Sequence, residues 1–384
     1  MSKIAFVVAS PETVSSFLLA YIHGLALNHD IHVICPLESG AKIRGLNDNI
    51  AVHNINIHRD PKVLSDLKSL YTLYRFFRKE KFDIVHSYTP KAGLLTQISA
   101  FCAGVKQRFH TFTGQVWATK IGFARTFLKS LDKVTASLST FCLVDSPSQQ
   151  QFLIDEKLLT KNNSRVLLQG SVSGVNLKRF SFSQTSRNNL REEHKFTEND
   201  FAFMFVGRLK KDKGVPELIT AFNQLTKTIN SNINKEHTLS PQLVIIGSDE
   251  EHLSSLLEGN DHIHYLGFRT NVNEYYSFAD MLCLPSHREG FGNVIIEAAA
   301  CQLPSVASNI YGLSDAVQDG YSGYLHEVKN QDDIYRLMCQ VINSPEDIKK
   351  MRMDAQTRVQ DTFDEAILVS AFIDFYQEFG NKTK

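Results

Sequence analysis

Twice along this chain, short β-branched apolar runs alternate with longer stretches of helical character, and that alternation admits few folds. In the first series residues 4–9, 31–35, 84–86, 108–112 and 142–144 read as strands, separated by helical stretches at 14–27, 71–81, 93–101 and 123–138. A second series opens after residue 200, with strands at 201–206, 242–246, 262–265, 281–284 and 305–307. Such alternation builds βαβ units, because parallel neighbours need a crossover between them. The expected class is α/β, with two Rossmann-like doubly wound parallel sheets facing a cleft. A length of 384 residues suits two domains. The small-residue stretch 169–175 is the natural joint, which places the domains at 1–172 and 173–362. Residues 184–200 and 229–240 are polar and read as surface loops. The tail, about 363–380, reads as an amphipathic helix carrying Phe372, Phe375 and Tyr376.

Composition excludes several classes. Hydrophobic content of 43% with 21% charged residues is that of a soluble globular protein rather than a disordered one. No apolar stretch reaches 18 residues, so no span of a membrane is expected. The N-terminal apolar run is too short for a signal peptide and reads as the first strand. Six cysteines stand singly in apolar surroundings, as core thiols of a reducing cytoplasm would. The net charge of zero hides an asymmetry. Residues 1–174 carry 20 Lys and Arg against 12 Asp and Glu, a balance of +8, whereas residues 175–384 carry 21 against 29, a balance of −8. A basic first half suits an anionic surface. Neither a P-loop nor a G-x-G-x-x-G fingerprint occurs, which argues against a P-loop enzyme and an NAD dehydrogenase. No nucleic-acid partner is indicated.

The most informative stretch is 285–304, P-S-H-R-E-G-F-G-N-V-I-I-E-A-A-A-C-Q-L-P. An apolar strand ends at Pro285, a loop follows with Gly290 and Gly292, and an Ala-rich helix runs to about Cys301. A helix opening on such a loop turns unpaired N–H groups and its positive dipole end toward the loop, where a phosphate fits. Glu289 in the loop and Glu297 in the helix are carboxylates able to accept hydrogen bonds from ligand hydroxyls. A second stretch, F-A-F-M-F-V-G-R-L-K-K-D-K-G at 201–214, delivers Gly207 and Arg208 to a sheet edge. The planar fork of Arg208 and the point charge of Lys213 both suit a phosphate.

Residues 285–304 resemble the Glu-x7-Glu signature of the retaining glycosyltransferases of family 4, which have the GT-B fold. The match falls at Pro285, Ser286, Glu289, Gly290, Phe291, Gly292, Glu297, Ala298, Ala300 and Pro304, while Gln302 replaces the usual glycine. G-R-L-x-x-x-K-G at 207–214 is similar to that family's diphosphate clamp. The resemblance implies transfer of a sugar from a nucleoside-diphosphate donor, with a UDP-sugar favoured over a GDP-sugar. It implies catalytic roles for Arg208, Lys213 and Glu289, with Glu289 on the sugar hydroxyls and Glu297 on the ribose diol. Gly207, Gly247, Phe268, Phe291, Gly292 and Asn293 are the further donor-side residues it implies, those near Phe268 acting through backbone groups. The clamp cations do the work of a divalent ion, so no metal and no cofactor are expected. A phosphate oxygen of the donor takes the acceptor proton. The tail helix is expected to return to the first domain.

The first half is less explicit. D-I-V-H-S-Y-T-P-K-A-G at 83–93 resembles a segment of the same family, one associated with enzymes extending surface polysaccharides and lipid-linked oligosaccharides. It places His86 at a strand edge facing the cleft and Lys91 at a helix N-terminus near an acceptor phosphate. At 108–115, R-F-H-T-F-T-G-Q, the family's usual His is replaced by Thr113 before Gly114. The period of two in a strand points His110 away from Thr113, so the role does not pass to His110. Residues 115–134 carry Arg125, Lys129 and Lys133 at helical spacing with Trp117, Phe123 and Phe127, which reads as a membrane-surface element. The expected acceptor is a glycan on a polyprenyl diphosphate, and the expected location the cytoplasmic face of the cell membrane. Other readings are a GT-B-type UDP-sugar epimerase, a soluble glucan or sucrose-phosphate type synthase, and a nucleotide-sugar-binding protein without activity.

Overall fold

The computed structural model describes residues 1–38, 40–58, 62–231 and 239–380. The loop expected at 229–240 therefore falls mostly outside the described residues. The first sheet holds β1 (Lys3–Val7), β2 (Asp30–Cys35), β3 (Ala51–Asn54), β4 (Ile84–Tyr88), β5 (Gln107–Phe112), β6 (Phe141–Val144) and β7 (Ser164–Val166). Its order is β3-β2-β1-β4-β5-β6-β7, every pair parallel. The second holds β8 (Asp200–Val206), β9 (Ser240–Ile246), β10 (Ile263–Gly267), β11 (Met281–Leu284), β12 (Ser305–Ser308) and β13 (Gly323–His326). Its order is β10-β9-β8-β11-β12-β13, again parallel throughout.

Both sheets are doubly wound, as the alternation predicts. The chain winds outward from β1 to β3 and from β8 to β10, then returns beside its starting strand. The switch points therefore lie between β1 and β4 and between β8 and β11. Ligands of such sheets bind beyond the carboxyl ends of the strands at these points. Helices cover both faces, so central strands carry no polar alternation: β4, I-V-H-S-Y, is buried at every position.

Two compact units emerge, one of Met1–Ser173 with Glu365–Lys384, the other of Gly174–Asp364. The second unit opens and closes at one place, where the Val175 N–H donates to Phe363 O at 2.7 Å. The C-terminal helix Glu365–Gly380 packs on the helix Leu19–Ala26 of the first unit. Gly24 makes room for it, since a Cβ there would lie 2.9 Å from Val369 Cγ1. Phe372 stacks on Tyr21 with centroids 4.2 Å apart. Phe372, Phe375 and Tyr376 are each 1% exposed, and burying each aromatic contributes about 1.5–3 kcal/mol.

Two expectations are corrected. The stretch 184–200 is not simply a loop, because Gln184–Glu193 is a helix capped by Ser183 Oγ, which accepts the Ser186 N–H at 3.1 Å. It turns Arg187 and Arg191 inward onto Asp280, at 2.7 and 3.4 Å, where Arg352 also arrives at 3.5 Å. Arg187 also donates to the carbonyls of Ser277, Phe278 and Ala279, capping the end of the helix Val272–Phe278. Among the cysteines, Cys35, Cys142, Cys283 and Cys301 are buried, whereas Cys102 is exposed.

Candidate active site

In the second unit every donor-side residue named from sequence lies on, or in the helix just after, the loops that leave the carboxyl ends of β8, β9, β10 and β11. The loops are locked to one another in the order of the strands. Gly267 O accepts the Gly247 N–H at 3.0 Å, and the Tyr265 hydroxyl donates to Gly247 O at 2.9 Å. Gly247, at φ +151°, backs onto the next loop so closely that a Cβ would sit 1.8 Å from Gly207 O. Leu209 N–H donates to Ser248 O at 2.8 Å, which holds Arg208 at the edge. Phe268 is 69% exposed beside this group.

Across the switch point the fit is as tight. Lys213 ends a short 3-10 turn, Lys211–Lys213, and Gly214 follows at φ +70°. A Cβ on Gly214 would lie 2.0 Å from Pro285 O, at the start of the loop bearing Glu289. Lys213 Nζ is ion-paired with Glu289 Oε1, which also accepts the Ser286 hydroxyl at 2.9 Å. Three further contacts brace the loop after β11, two to the loop bearing Lys213 and one to the helix Val215–Ser231 that follows it. The His287 N–H donates to Asp212 O at 2.9 Å, Arg288 meets Asp212 Oδ2 at 3.3 Å, and His287 Nε2 lies 3.0 Å from Glu217 Oε1. Sequence reasoning did not find these braces, since positions 287 and 288 carry no motif.

Gly292, at φ +85°, opens the helix Asn293–Ala300, and a Cβ there would strike Leu313 Cδ2 at 2.4 Å. One turn on, Glu297 accepts the Tyr276 hydroxyl at 3.4 Å. Burial pushes its carboxyl up to about 7, against the opposing pull of Arg179 and the Tyr276 hydroxyl. Tyr276 is a contact that no motif announced. Phe291, expected on the donor side, is 1% exposed and packs edge-on against Phe363 at 5.4 Å. Its ring is part of the core, so only its backbone faces the loop.

The first-unit residues divide differently. His86 is not at an open strand edge: it is fully buried, bonded through Nδ1 to the Tyr376 hydroxyl at 2.6 Å and through Nε2 to Thr111 Oγ1 at 2.7 Å. His110 is buried too, against Gly93, and burial pushes its imidazole down to about 3. Lys91, at the first turn of the helix Pro90–Ala103, meets Asp66 at 2.7 Å beside the switch point of the first sheet. Thr113 and Gly114 follow β5 at the same edge, Gly114 at φ +103°. In the segment read as membrane-facing, Trp117 is 1% exposed and donates to Asp132 Oδ2 at 2.7 Å. Arg125 and Lys129 both pair with Glu156, at 2.6 and 2.5 Å. The basic face is thus largely engaged, while Ile121, Phe123 and Phe127 are 88%, 83% and 51% exposed. Among the described residues no helix is long and apolar enough to cross a membrane.

Two doubly wound α/β units, one with cations and carboxylates paired across its switch point beside a glycine-opened helix, are the arrangement that the resemblance at 285–304 leads one to expect. Comparison with known proteins gives the family. Residues 186–358 match glycosyl transferases group 1 and residues 3–137 match glycosyl transferase 4-like. The capsular polysaccharide biosynthesis glycosyltransferase CapM of Staphylococcus aureus is 31% identical over 359 residues, 92% of this chain and 90% of its own length. An Escherichia coli UDP-Gal:alpha-D-GlcNAc-diphosphoundecaprenol alpha-1,3-galactosyltransferase is 28% identical over 322 residues, 81% of this chain and 80% of its own. Anabaena HepE, solved in complex with UDP and glucose, shares the fold with a TM-score of 0.78 at 17% identity, over 98% of this chain and 100% of that one. The chain belongs to the group 1 glycosyltransferases, family 4, with the GT-B fold.

Proposed function

We propose that the protein transfers a hexosyl or N-acetylhexosaminyl group, with retention, from a UDP-sugar to a hydroxyl of a glycan carried on a polyprenyl diphosphate. The observation that carries this reading is the Lys213–Glu289 pair across the switch point, with Arg208 on the same loop as Lys213 and the helix end at Gly292 following Glu289. As the bond from the anomeric carbon to the β-phosphate breaks, negative charge grows on the departing diphosphate. Arg208, Lys213 and the N–H groups at Gly292 and Asn293 stabilise that charge, in the place a divalent ion takes elsewhere. Glu289 accepts from the sugar hydroxyls and Glu297 from the ribose diol. The acceptor oxygen bonds to the anomeric carbon on the face the phosphate leaves, and its proton passes to a phosphate oxygen.

The acceptor side is assigned to the first unit, at Lys91, Thr113 and Gly114, where the N-terminus of a 14-residue helix favours a phosphate. The E. coli relative's acceptor is a sugar on diphosphoundecaprenol and CapM serves capsular polysaccharide, which supports a lipid-linked acceptor and a role in polysaccharide biosynthesis. Attachment at the cytoplasmic face of the membrane then runs through Ile121, Phe123 and Phe127, apolar side chains held out from the first unit.

Radiolabelled UDP-sugars incubated with and without a polyprenyl-diphosphate-linked glycan test the reading. Label moving to lipid only when the acceptor is present, in the α configuration for an α-linked donor, is the expected result. Epimerised sugar in the absence of acceptor, or binding without turnover under all conditions, would overturn it.

A further inference from the structure

Arg208 and Lys210 share a counter-ion supplied by the neighbouring loop. Glu250 Oε2 lies 3.2 Å from Arg208 Nη1 and 2.7 Å from Lys210 Nζ. Lys210, ahead of Arg208, holds its carboxyl below the usual glutamate range. The placement is fixed by backbone, because Leu209 N–H donates to Ser248 O on one side and Lys211 N–H to Glu251 Oε2, at 3.0 Å, on the other. Carboxylate and phosphate oxygens make the same kind of hydrogen bond to a guanidinium and compete for one set of N–H groups.

We propose that Glu250 is a built-in competitor for the donor's diphosphate. It pairs with Arg208 and Lys210 while the site is empty, yields to the diphosphate when the nucleotide sugar binds, and returns to help expel the nucleoside diphosphate after transfer. The inference rests on the role given to Arg208 above. The geometry suits an exchangeable partner: the Arg208 and Glu250 side chains are 39% and 38% exposed, so the pair is weakly held, unlike the Lys213–Glu289 pair at 17% each. A clamp without such a competitor would keep its product, and product release limits turnover in many enzymes.

The test is calorimetric titration of the full chain with UDP, GDP, inorganic pyrophosphate and uridine, for wild type, Glu250→Gln, Glu258→Gln and Arg208→Ala. Glu250→Gln is expected to bind UDP and pyrophosphate about two- to fivefold more tightly, with uridine unmoved and UDP a stronger product inhibitor. Glu258→Gln, an exposed carboxylate outside these contacts, leaves the UDP constant as in wild type, and added salt narrows the gain. Unchanged or weaker UDP binding in Glu250→Gln, with Arg208→Ala weakened, would overturn the competitor alone and make Glu250 a support for Arg208. An equal gain for uridine would overturn it as well. UDP binding in Arg208→Ala equal to wild type, or wild type that ignores both UDP and GDP, would bring down the reading of the site and the competitor with it.

Discussion

Lys213 and Glu289 meet across the switch point of the second sheet, each side chain 17% exposed, with the Ser286 hydroxyl on the same carboxylate oxygen. One residue comes from the loop after β8 and the other from the loop after β11, so their meeting fixes the two loops to each other as well as placing two functional groups.

Lys213→Ala and Arg208→Ala should each lower kcat about 10²–10³-fold, the usual loss for one charge contact made in the transition state. Melting temperature should move little for Arg208→Ala, whose pair is exposed. Steady-state rates with a UDP-sugar and lipid-linked acceptor check this, and undiminished turnover in either variant would contradict the clamp. Combining Lys213→Ala with Glu289→Ala should fall well short of additivity, since the two act as a pair.

The role proposed for Glu297 predicts a pH dependence of donor binding near neutrality. Its carboxyl is held at about 7 in the folded chain against an ordinary value of 4.5. The ribose diol needs the ionised form as acceptor, so UDP affinity should rise as pH rises through about 7. Stability runs the other way. The folded state holds this proton more tightly than the unfolded chain, so the group's contribution falls as pH climbs from about 4.5 to about 7. Glu297→Gln should flatten the UDP profile, and Tyr276→Phe should shift its midpoint upward by removing a hydrogen bond to the carboxylate. Titrations with UDP across that range decide it.

Gly247→Ala should damage both fold and site. The new Cβ would lie 1.8 Å from Gly207 O, so the loop carrying Arg208 must move. We expect a loss of about 1–3 kcal/mol in stability together with weakened UDP binding, read by denaturant unfolding and calorimetry. Gly104→Ala, with open space around its Cβ position and a φ of +79°, is the comparison that isolates backbone strain from this clash.

The elements were largely legible from sequence, and the second unit more so than the first. Strands buried on both faces leave unbroken apolar runs, as at β8, and a loop that must approach another backbone leaves glycines, as at Gly214 and Gly247. His86 misled because its partner, Tyr376, lies 290 residues away on a helix that seals the strand end. Trp117 misled in the same manner: its aromatic ring suggested an anchor, but Asp132 takes its N–H inside the fold. The helix Gln184–Glu193 was hidden by its polarity, since Leu190 and Arg191 are its only buried residues. Glu250, Tyr276 and the braces at His287 and Arg288 act through contacts whose spacing in sequence follows no motif.

Asp280 should matter more to stability than any surface ion pair. It stands among Arg187, Arg191 and Arg352, and burial pushes the Arg352 guanidinium down to about 10. Asp280→Ala leaves these cations without their carboxylate and should cost about 3–5 kcal/mol, measurable by chemical denaturation.

Phe123→Ser combined with Phe127→Ser should reduce co-sedimentation with anionic vesicles several-fold, whereas Lys129→Glu should act less, because Lys129 already faces Glu156. Wild-type partitioning in the double phenylalanine variant would remove the apolar attachment.

The last helix carries a consequence for how the molecule is made. Synthesis delivers the seven strands of the first sheet long before Phe372, Phe375 and Tyr376 leave the ribosome, yet those rings close its core. Nascent chains usually mature from the amino end onward; here the domain begun first is the last to be finished. A chain stopped at Asp364 would therefore keep the carboxyl-terminal domain whole and leave the amino-terminal one open.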